Sequence, residues 1–327
     1  MRRIAICLAL AAVLAGPAAA NDGAAERAAG GLVFVQNDDI DMVSEDLFIS
    51  ARLVRVRYLF RNSSPHDVRI TVAFPMPDHD LAEPVEGDLV WPADFVTEVD
   101  GRRIPTDVER RALLAGVDRS DILAGLGIPI AYHGDEAGAV RLFERLGRLS
   151  PAELRRLAEL GLVRQEADGS ISPLWTVRET WYWEQAFPAG RDVVIEHRYT
   201  PGAGGTVGTA LHIPELRDSE QGRAWMERFC IDAEFLRAVD RLAARRPDQL
   251  VPETWVSYIL TTGAGWRSPI GEFRLVVDKG APANLVSFCG EGVRRLDATR
   301  FEMRRANWRP DRNLDILFLG APAGLSE

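Results

Sequence analysis

After its first twenty residues the chain lacks any apolar run that approaches the ~20 residues a membrane helix needs. Positive charge is also scarce, because 39 Lys and Arg against 48 Asp and Glu give a formal net charge of −9. Such an acidic balance disfavours nucleic acid and anionic membrane as partners. We therefore expect no nucleic-acid partner and no transmembrane segment in the mature chain.

Motifs that carry common chemistries are missing as well. The sequence contains no G-x-S-x-G elbow, no Ser-x-x-Lys pair, no HExxH, no EF-hand spacing and no Walker lysine after the glycines of 202–208. These absences favour a protein that binds over one that catalyses.

The first twenty residues have the layout of a secretory signal peptide. Arg2 and Arg3 precede the apolar run of residues 4–14, and residues 18–20 are three alanines that suit an A-x-A cleavage site. We expect cleavage between Ala20 and Asn21, which changes the formal charge from −9 to −11 by removing two arginines. The mature chain is then exported, periplasmic or secreted.

Cysteine is rare, with three in the chain, and Cys7 lies within the predicted signal peptide. An oxidising compartment favours a disulfide between the remaining two, Cys230 and Cys289. Two buried free thiols or a metal-binding pair are the alternatives, although neither has a cluster of supporting ligands nearby.

Alternating apolar residues predict strands over much of the chain. The run from Leu53 to Pro77 alternates on both sides of a polar break at residues 62–66, which predicts an antiparallel hairpin with one buried face. Asp100-Gly101 predicts a second tight hairpin. Residues 21–31 are small and polar, and we expect an extended arm there.

Helical spacing interrupts the strands in two blocks, residues 110–161 and 219–246. Ser150-Pro151-Ala152-Glu153 is a capping box that starts one of these helices. Because helices and strands do not alternate one for one, the pattern predicts a mainly β, antiparallel β-sandwich-like fold with two helical insertions. We place a domain boundary near Leu174, with an N-terminal domain of 21–174 and a C-terminal domain of 175–327.

The whole mature chain resembles the bacterial exported family called domain of unknown function 4424. The resemblance rests on IDMVSEDLFISARLVRVRYLFRN with VAFPMP, on WYWEQAFPAGRDVVIEHRYTP, and on YILTTGAGWRSPIGEFRLVVDK with VSFCG. It implies export and a shared architecture, and it supplies no catalytic residues.

The N-terminal half also resembles a vault/inter-alpha-trypsin (VIT) domain. The matching segments are YLFRNSSPHDVRITVAFPMP and FVTEVDGRRIPTDVERRALLAG. This resemblance implies a β-sandwich with an interaction role. A VIT domain usually precedes a von Willebrand A domain, which binds metal through an Asp-x-Ser-x-Ser motif. The resemblance does not extend to that motif, since Asp118-Arg119-Ser120-Asp121 lacks the second serine.

Three sets of residues are candidates for chemistry or binding. Asp78, His79, Asp80 and Glu83 crowd one acidic loop and could hold calcium, although a solvated loop is the common alternative. His197 could be a catalytic base, and Glu184 and Glu196 a glycosidase-like carboxylate pair, against a buried structural histidine and solvated carboxylates.

The third set is aromatic and could form a ligand surface or part of the core. Its members are Trp181, Tyr182, Trp183 and Trp266.

Taken together, the sequence predicts an exported, non-enzymatic protein that binds a protein or glycan of the cell envelope. One alternative is an exported hydrolase with an aromatic cleft beneath a helical lid. A second alternative is a calcium-stabilised structural protein of the envelope.

Overall fold

The computed structural model describes residues 21–28, 31–82, 94–131, 136–245 and 250–320. Strands dominate these residues and form two large sheets, a smaller sheet and a two-stranded ribbon. The predicted mainly β, sandwich-like fold is therefore confirmed. The predicted signal peptide lies outside the described residues.

Sheet I contains seven strands. They are β1 (Gly23–Ala28), β2 (Gly31–Phe34), β5 (Val68–Pro75), β6 (His79–Asp80), β9 (Asp107–Leu114), β10 (Val117–Asp118) and β13 (Thr176–Phe187). Their order is β10-β9-β13-β5-β1-β2, and β6 also pairs with β13.

Sheet II contains eight strands. They are β3 (Ile40–Ser50), β4 (Val54–Asn62), β7 (Val96–Val99), β8 (Arg102–Ile104), β14 (Asp192–Tyr199), β17 (Ile270–Asp278), β19 (Arg294–Arg295) and β20 (Arg300–Trp308). Their order is β19-β20-β17-β3-β4-β14-β7-β8. All neighbours are antiparallel except β3 and β17, which run parallel.

Sheet III has four strands in the order β15-β16-β21-β18, and the ribbon has two. The bounds are β15 (Ala203–Thr206), β16 (Glu253–Tyr258), β18 (Leu285–Phe288) and β21 (Leu314–Leu319) for the sheet, and β11 (Val163–Gln165) and β12 (Ile171–Pro173) for the ribbon.

The alternation in the sequence decides which side of each strand is buried. In β4, Val54, Val56, Tyr58 and Phe60 are fully buried, whereas the arginines between them are exposed. Sheets I, II and III contribute side chains to one hydrophobic core, because packing the apolar face of one sheet against another removes both faces from water.

The predicted hairpin from Leu53 to Pro77 is wrong. Its first strand, β4, lies in sheet II, and its second strand, β5, lies in sheet I, so the turn crosses between sheets. The connection from β13 to β14 crosses in the same way. Asn62 joins the two crossings, since its Nδ2 donates to the carbonyl oxygens of His66 at 2.7 Å and Phe187 at 2.8 Å.

The Asp100-Gly101 hairpin is confirmed. Strands β7 and β8 pair across it, and both turn residues have positive φ, 49° for Asp100 and 72° for Gly101. This is the geometry that the Asp-Gly dipeptide favours, because glycine has no Cβ to clash there.

The predicted N-terminal arm is extended but forms part of the core. Asn21 and Asp22 are fully buried, and β1 pairs with both β2 and β5. Small residues permit this position, since a Cβ at Gly23 would lie 2.8 Å from a ring carbon of Phe34.

The described residues form six α-helices and one short 3-10 helix. They are α1 (Ser120–Gly125), α2 (Glu136–Gly147), α3 (Pro151–Glu159), α4 (Pro214–Arg217), α5 (Glu220–Arg228), α6 (Ala233–Ala244) and the 3-10 helix Thr261–Gly265. The capping box at Ser150 and Glu153 is present. In the described part of the chain, no helix combines the length and apolar character needed to cross a membrane.

The helices fall largely where helical spacing predicted them. The first residues of the 110–161 block form β9 and β10 instead of helix, because β9 pairs with β13 and β10 pairs with β9. Sheets I and II both contain strands from each side of Leu174. Whether the two halves fold separately stays a prediction.

Candidate functional site

An open groove of about 1140 Å³ lies beside the disulfide, and we call it the disulfide groove. It is bounded by α6, β18, β20 and the segment from Asp311 to Leu314. Ten of its lining residues are apolar, four of these are aromatic, and we call these ten residues the floor of the groove. The apolar lining residues are Phe235, Ala238, Leu260, Val286, Phe288, Val293, Phe301, Met303, Trp308 and Leu314.

Strand β20 supplies much of the floor. Phe301, Met303 and Arg305 are two residues apart, so they project from the same side of the strand. Trp308 ends β20 and packs against the buried Phe273 with a ring-centroid distance of 4.7 Å. Core packing therefore holds one side of the indole ring while the residue stays partly accessible in the groove.

The disulfide between Cys230 and Cys289 is present, as predicted. It joins the turn after α5 to the end of β18 and closes a sequence separation of 59 residues. A loop of that length restricts the unfolded chain by roughly 4 kcal/mol in the chain-entropy description. Next to the disulfide, Ser287 Oγ donates to the carbonyl oxygen of Phe229 at 2.9 Å. Both the disulfide and this hydrogen bond therefore connect β18 to the end of α5 at this wall of the groove.

Charges of both signs surround the apolar floor. The rim contains Asp232, Glu234, Glu291, Asp311, Arg241, Arg295, Arg305 and Arg312. Four acids face four arginines, so the rim has no formal net charge and matches a partner that carries both signs. Among the described residues, Arg305 and Glu291 are the only two of these eight that form an ion pair with each other. The distance between Arg305 Nη2 and Glu291 Oε2 is 3.3 Å.

A smaller groove of about 680 Å³ contains part of the predicted aromatic surface. Tyr182 and Trp183 line it together with Arg69, Arg102 and Arg103. Tyr182 already contacts another residue of the same chain. Arg27 Nη2 donates to its hydroxyl at 2.6 Å, and the Arg27 guanidinium lies 4.9 Å from the centroid of its ring.

Trp183 is only 5% exposed and is part of the core, and the other two aromatic candidates belong to the core as well. Trp266 is fully buried, lies 4.8 Å from the Phe60 ring centroid, and donates from Nε1 to the carbonyl oxygen of Asp22 at 2.7 Å. Trp181 is half-buried and stacks on Phe95 with a centroid distance of 5.0 Å. For these two residues the core interpretation fits the structure.

His197 is buried and both of its ring nitrogens are occupied. Nδ1 lies 3.0 Å from Thr97 Oγ1, and Nε2 lies 3.0 Å from Asp22 Oδ1. Phe95 stacks on the imidazole at 5.1 Å, and Phe74 covers it at 5.0 Å. Because Thr97, His197 and Asp22 are all buried, a substrate cannot reach the imidazole, and this environment is that of a structural histidine.

The proposed carboxylate pair of Glu184 and Glu196 does not form. Glu184 lies on β13 in sheet I, and Glu196 lies on β14 in sheet II, because the connection between these strands crosses the sandwich. Glu184 accepts from Thr71 Oγ1 at 2.6 Å, and Glu196 pairs with Arg57 at 3.1 Å.

The acidic loop contains one strong ion pair. Arg178 donates to both oxygens of Asp78 at 2.9 and 2.6 Å, which stabilises the carboxylate without a metal. Asp80 Oδ1 accepts from the Ala82 N–H at 2.9 Å, and His79 belongs to β6. Within the described ranges no three His, Cys, Asp or Glu side chains could hold a metal ion, and Glu83 lies outside those ranges. Calcium binding stays a prediction.

Sequence reasoning missed the aromatic floor of the disulfide groove. Phe288 directly precedes Cys289, so proximity to the predicted disulfide could have identified it. Phe301 and Trp308 come from a strand that also carries Arg300, Arg304 and Arg305. Their convergence depends on sheets II and III meeting at the groove, which no local pattern indicates.

Sheet II also contains two buried glutamates with opposite surroundings. Glu302 on β20 accepts from Arg304, Arg274 and Arg294, and these contacts lower its pKa to about 2. Glu45 on β3 accepts from Asn21 Nδ2 at 2.8 Å. Burial raises the pKa of Glu45 to about 8, and its contacts with Asn21 and Tyr258 oppose that increase only in part.

Two solved structures are similar to this chain at low identity and low TM-score. A candidate nutrient-binding protein of Legionella pneumophila is 16% identical with a TM-score of 0.45, over 92% of this chain and 70% of that one. An M1 zinc metallopeptidase of Deinococcus radiodurans is 6% identical with a TM-score of 0.27, over 87% of this chain and 43% of that one. At these scores neither likeness carries an argument about function.

No curated protein matches the chain at a significant level. The family profile described as domain of unknown function (DUF4424) matches residues 20–317, which is nearly the whole chain. The match covers the strands of all three sheets together with the disulfide groove. The chain therefore belongs to the DUF4424 family.

Proposed function

We propose that the protein is an exported, non-enzymatic binding protein and that a protein of the cell envelope docks in the disulfide groove. The observation that carries this proposal is an open cavity of about 1140 Å³ with an aromatic floor and a rim of both charges. Partly exposed aromatic side chains in a fixed pocket are the residues on which binding energy usually concentrates.

The chemistry of the groove favours a peptide segment over a glycan. The floor offers Phe288, Phe301 and Trp308 to apolar side chains, while the rim offers partners to both acidic and basic side chains. A neutral sugar would use the aromatic faces and would leave the four arginines and four acids with fewer charged partners. A glycan is therefore the second choice of ligand.

Export to the periplasm or beyond is supported by the sequence and by the disulfide. The first twenty residues have the three regions of a signal peptide, and the Cys230–Cys289 bond suits an oxidising compartment. The VIT-like resemblance of the N-terminal half supports an interaction role in the same direction. No observation in the described residues favours the hydrolase or the calcium-stabilised alternative, since His197 is enclosed and Asp78 is paired with Arg178.

Site-specific photo-cross-linking in the native envelope tests the proposal. A photoreactive residue is placed at Val293, which lines the groove and is 37% exposed, and in a control chain at Leu216, which is 51% exposed and lies on α4. We expect one recurrent protein adduct from position 293 and none of that mass from position 216.

Two substitutions assign the adduct to the groove. Trp308→Ala should abolish it, whereas Tyr182→Ala in the smaller groove should leave it unchanged. An adduct that survives Trp308→Ala, or that forms equally from both positions, contradicts binding in the disulfide groove. A glycan adduct at position 293 contradicts the choice of a protein partner.

A further inference from the structure

The first two residues of the predicted mature chain lie in the interior of the sandwich. Thr262 holds residue 21 on both sides, because its Oγ1 accepts from the backbone N–H of Asn21 and donates to the Asn21 carbonyl oxygen at 2.5 Å. Trp266 donates to the next carbonyl oxygen, that of Asp22. Gly263 permits the close approach, since a Cβ there would lie 2.6 Å from Asn21 Nδ2.

This interior cluster, which consists of Asn21, Asp22, Glu45, His197 and Thr262, has an excess of acceptors. Within this cluster of described residues three buried oxygens have no hydrogen bond of normal geometry, namely Asn21 Oδ1, Asp22 Oδ2 and Glu45 Oε1, and the one further polar contact of Glu45 is with Tyr258. Buried polar atoms are almost always paired, because an unpaired one loses its water contacts without replacement. With Asp22 and Glu45 ionised, the cluster is therefore short of a hydrogen-bond donor.

The cluster also has an excess of acid. Asp22 has His197 as its partner at 3.0 Å, whereas no arginine or lysine forms an ion pair with Glu45 within the described part of the chain. Glu302 in the same sheet shows the usual solution, in which arginines surround a buried carboxylate. A buried glutamate without a cation is costly when ionised.

The backbone nitrogen of residue 21 can supply both the donors and the charge. As a peptide nitrogen it has one hydrogen, which Thr262 already accepts. As a chain terminus it becomes an ammonium group with three hydrogens and one positive charge, like the ammonium of lysine. The change requires only that the chain be cut before Asn21, where the sequence predicts cleavage.

We propose that cleavage between Ala20 and Asn21 creates an α-ammonium group that forms a buried ion pair with Glu45 and completes the interior of the sandwich. The inference rests on the export proposed above. The cut is a hydrolysis: water breaks the amide bond, its oxygen and one of its hydrogens go to the new carboxyl group of Ala20, which then loses its proton, and its other hydrogen gives the new amine. That amine takes up a proton to become ammonium.

The groups that face Glu45 come from several elements, and none of them supplies a permanent cation. They are Asp22 beside β1, Tyr58 on β4, Tyr258 on β16 and, behind Asp22, His197 on β14. The two tyrosines share a hydrogen bond of 2.9 Å between their hydroxyls. Removal of the signal peptide thus creates the ion pair between the Asn21 α-ammonium and Glu45, in addition to separating the mature chain from its signal peptide.

A double-mutant cycle tests the ion pair. One chain begins with Asn21, released from a fusion that leaves no extra residue, and a second carries one glycine before Asn21. Both are made with native Glu45 and with Glu45→Gln, and unfolding in urea is measured at pH 7. We expect the added glycine to lower the folding equilibrium constant by about a hundredfold or more with native Glu45, and far less with Glu45→Gln.

Glu302→Gln is the matched control, because it neutralises another buried glutamate of sheet II and should leave the cost of the added glycine unchanged. An added glycine that costs nothing, or costs the same with Glu45→Gln, overturns the inference. If a variant does not fold, the α-amine of the Asn21 chain is titrated by NMR. A pKa well above the usual ~7.7–8.0 supports the pair, and an ordinary value overturns it.

The N-terminus of the exported protein separates this inference from the binding proposal. Mass spectrometry of the protein recovered from the envelope should show a chain that begins at Asn21. A chain that begins elsewhere overturns the ion pair and leaves the groove untouched, since residue 21 does not line it. Absence of the cross-link at position 293 overturns only the proposal of a binding partner and does not affect the ion pair.

Discussion

The sandwich interior and the disulfide groove use similar side chains for different ends. The interior places Trp266 and Glu45 beneath two sheets, where both are fully enclosed. The groove places Trp308 and Glu291 at the meeting of sheets II and III, where both remain accessible to some degree. A segment rich in aromatic residues therefore predicts a ligand surface only where no second sheet covers those residues.

The largest expected contrast is between the two tryptophans. Trp266→Ala should lower the free energy of unfolding by about 3–5 kcal/mol, because it empties a closed part of the core and removes the bond to Asp22. Trp308→Ala should cost about 1 kcal/mol, since water can replace the indole ring in an open groove. Urea unfolding of both variants checks this. Equal losses would show that the groove is part of the core.

Removing the disulfide should have the next largest effect. We expect the double substitution Cys230→Ser and Cys289→Ser to lower the free energy of unfolding by roughly 2–5 kcal/mol. Because the bond holds one wall of the groove, the Val293 cross-link should weaken even at temperatures where the variant is folded. A variant that keeps its full stability and its cross-link contradicts the role given to the bond.

The two buried glutamates should give opposite pH dependences. The pKa of Glu302, lowered to about 2, means that its stabilising contribution is present above about pH 4.5 and is lost as pH falls toward 2. The raised pKa of Glu45, about 8, gives a contribution that is present below about pH 4.5 and lost as pH rises through 8.

Chains with and without a residue before Asn21 separate these contributions. The extended chain should lose stability between about pH 4.5 and 8, and Glu45→Gln should remove that loss. The chain that begins at Asn21 should lack it, because an adjacent ammonium favours the ionised carboxylate. Glu302→Gln should flatten only the acid side of either profile. Identical neutral slopes in both chains would contradict the proposed pair.

The smallest effect is expected at the surface. Glu196→Gln breaks the Arg57–Glu196 pair, in which the side chains are 49% and 41% exposed. Exposed pairs contribute about 0–1 kcal/mol, so the variant should unfold almost as the native protein does. A loss of several kcal/mol would mean that the outer faces of sheet II are covered by a partner.

Local patterns predicted most strands and the strand-rich class, but they could not assign strands to sheets. The alternation from Val54 to Phe60 identified β4 and its buried side correctly. The turn at residues 62–66 has residues that suit a hairpin and a crossing equally well, because both reverse the chain direction. Only long-range pairing, such as that of β4 with β3 and β14, distinguishes them.

The candidate site was predicted less well than the fold. The disulfide followed from composition and compartment, whereas the groove floor depends on strands that meet only in the folded chain. The core position of Asn21 was missed for a similar reason. A small polar segment is usually solvated, and its burial depends on Thr262 and Trp266, which lie 241 and 244 residues away.

The parallel pairing of β3 with β17 has a consequence for the order of folding. Arg274 on β17 and Asp46 on β3 contact each other across 228 residues of sequence, so sheet II cannot close until most of the chain is available. Folds dominated by such distant contacts form slowly, because the entropy of closing a long loop is lost before any contact forms. A nascent N-terminal half would therefore leave one edge of β3 unpaired until β17 has been synthesised.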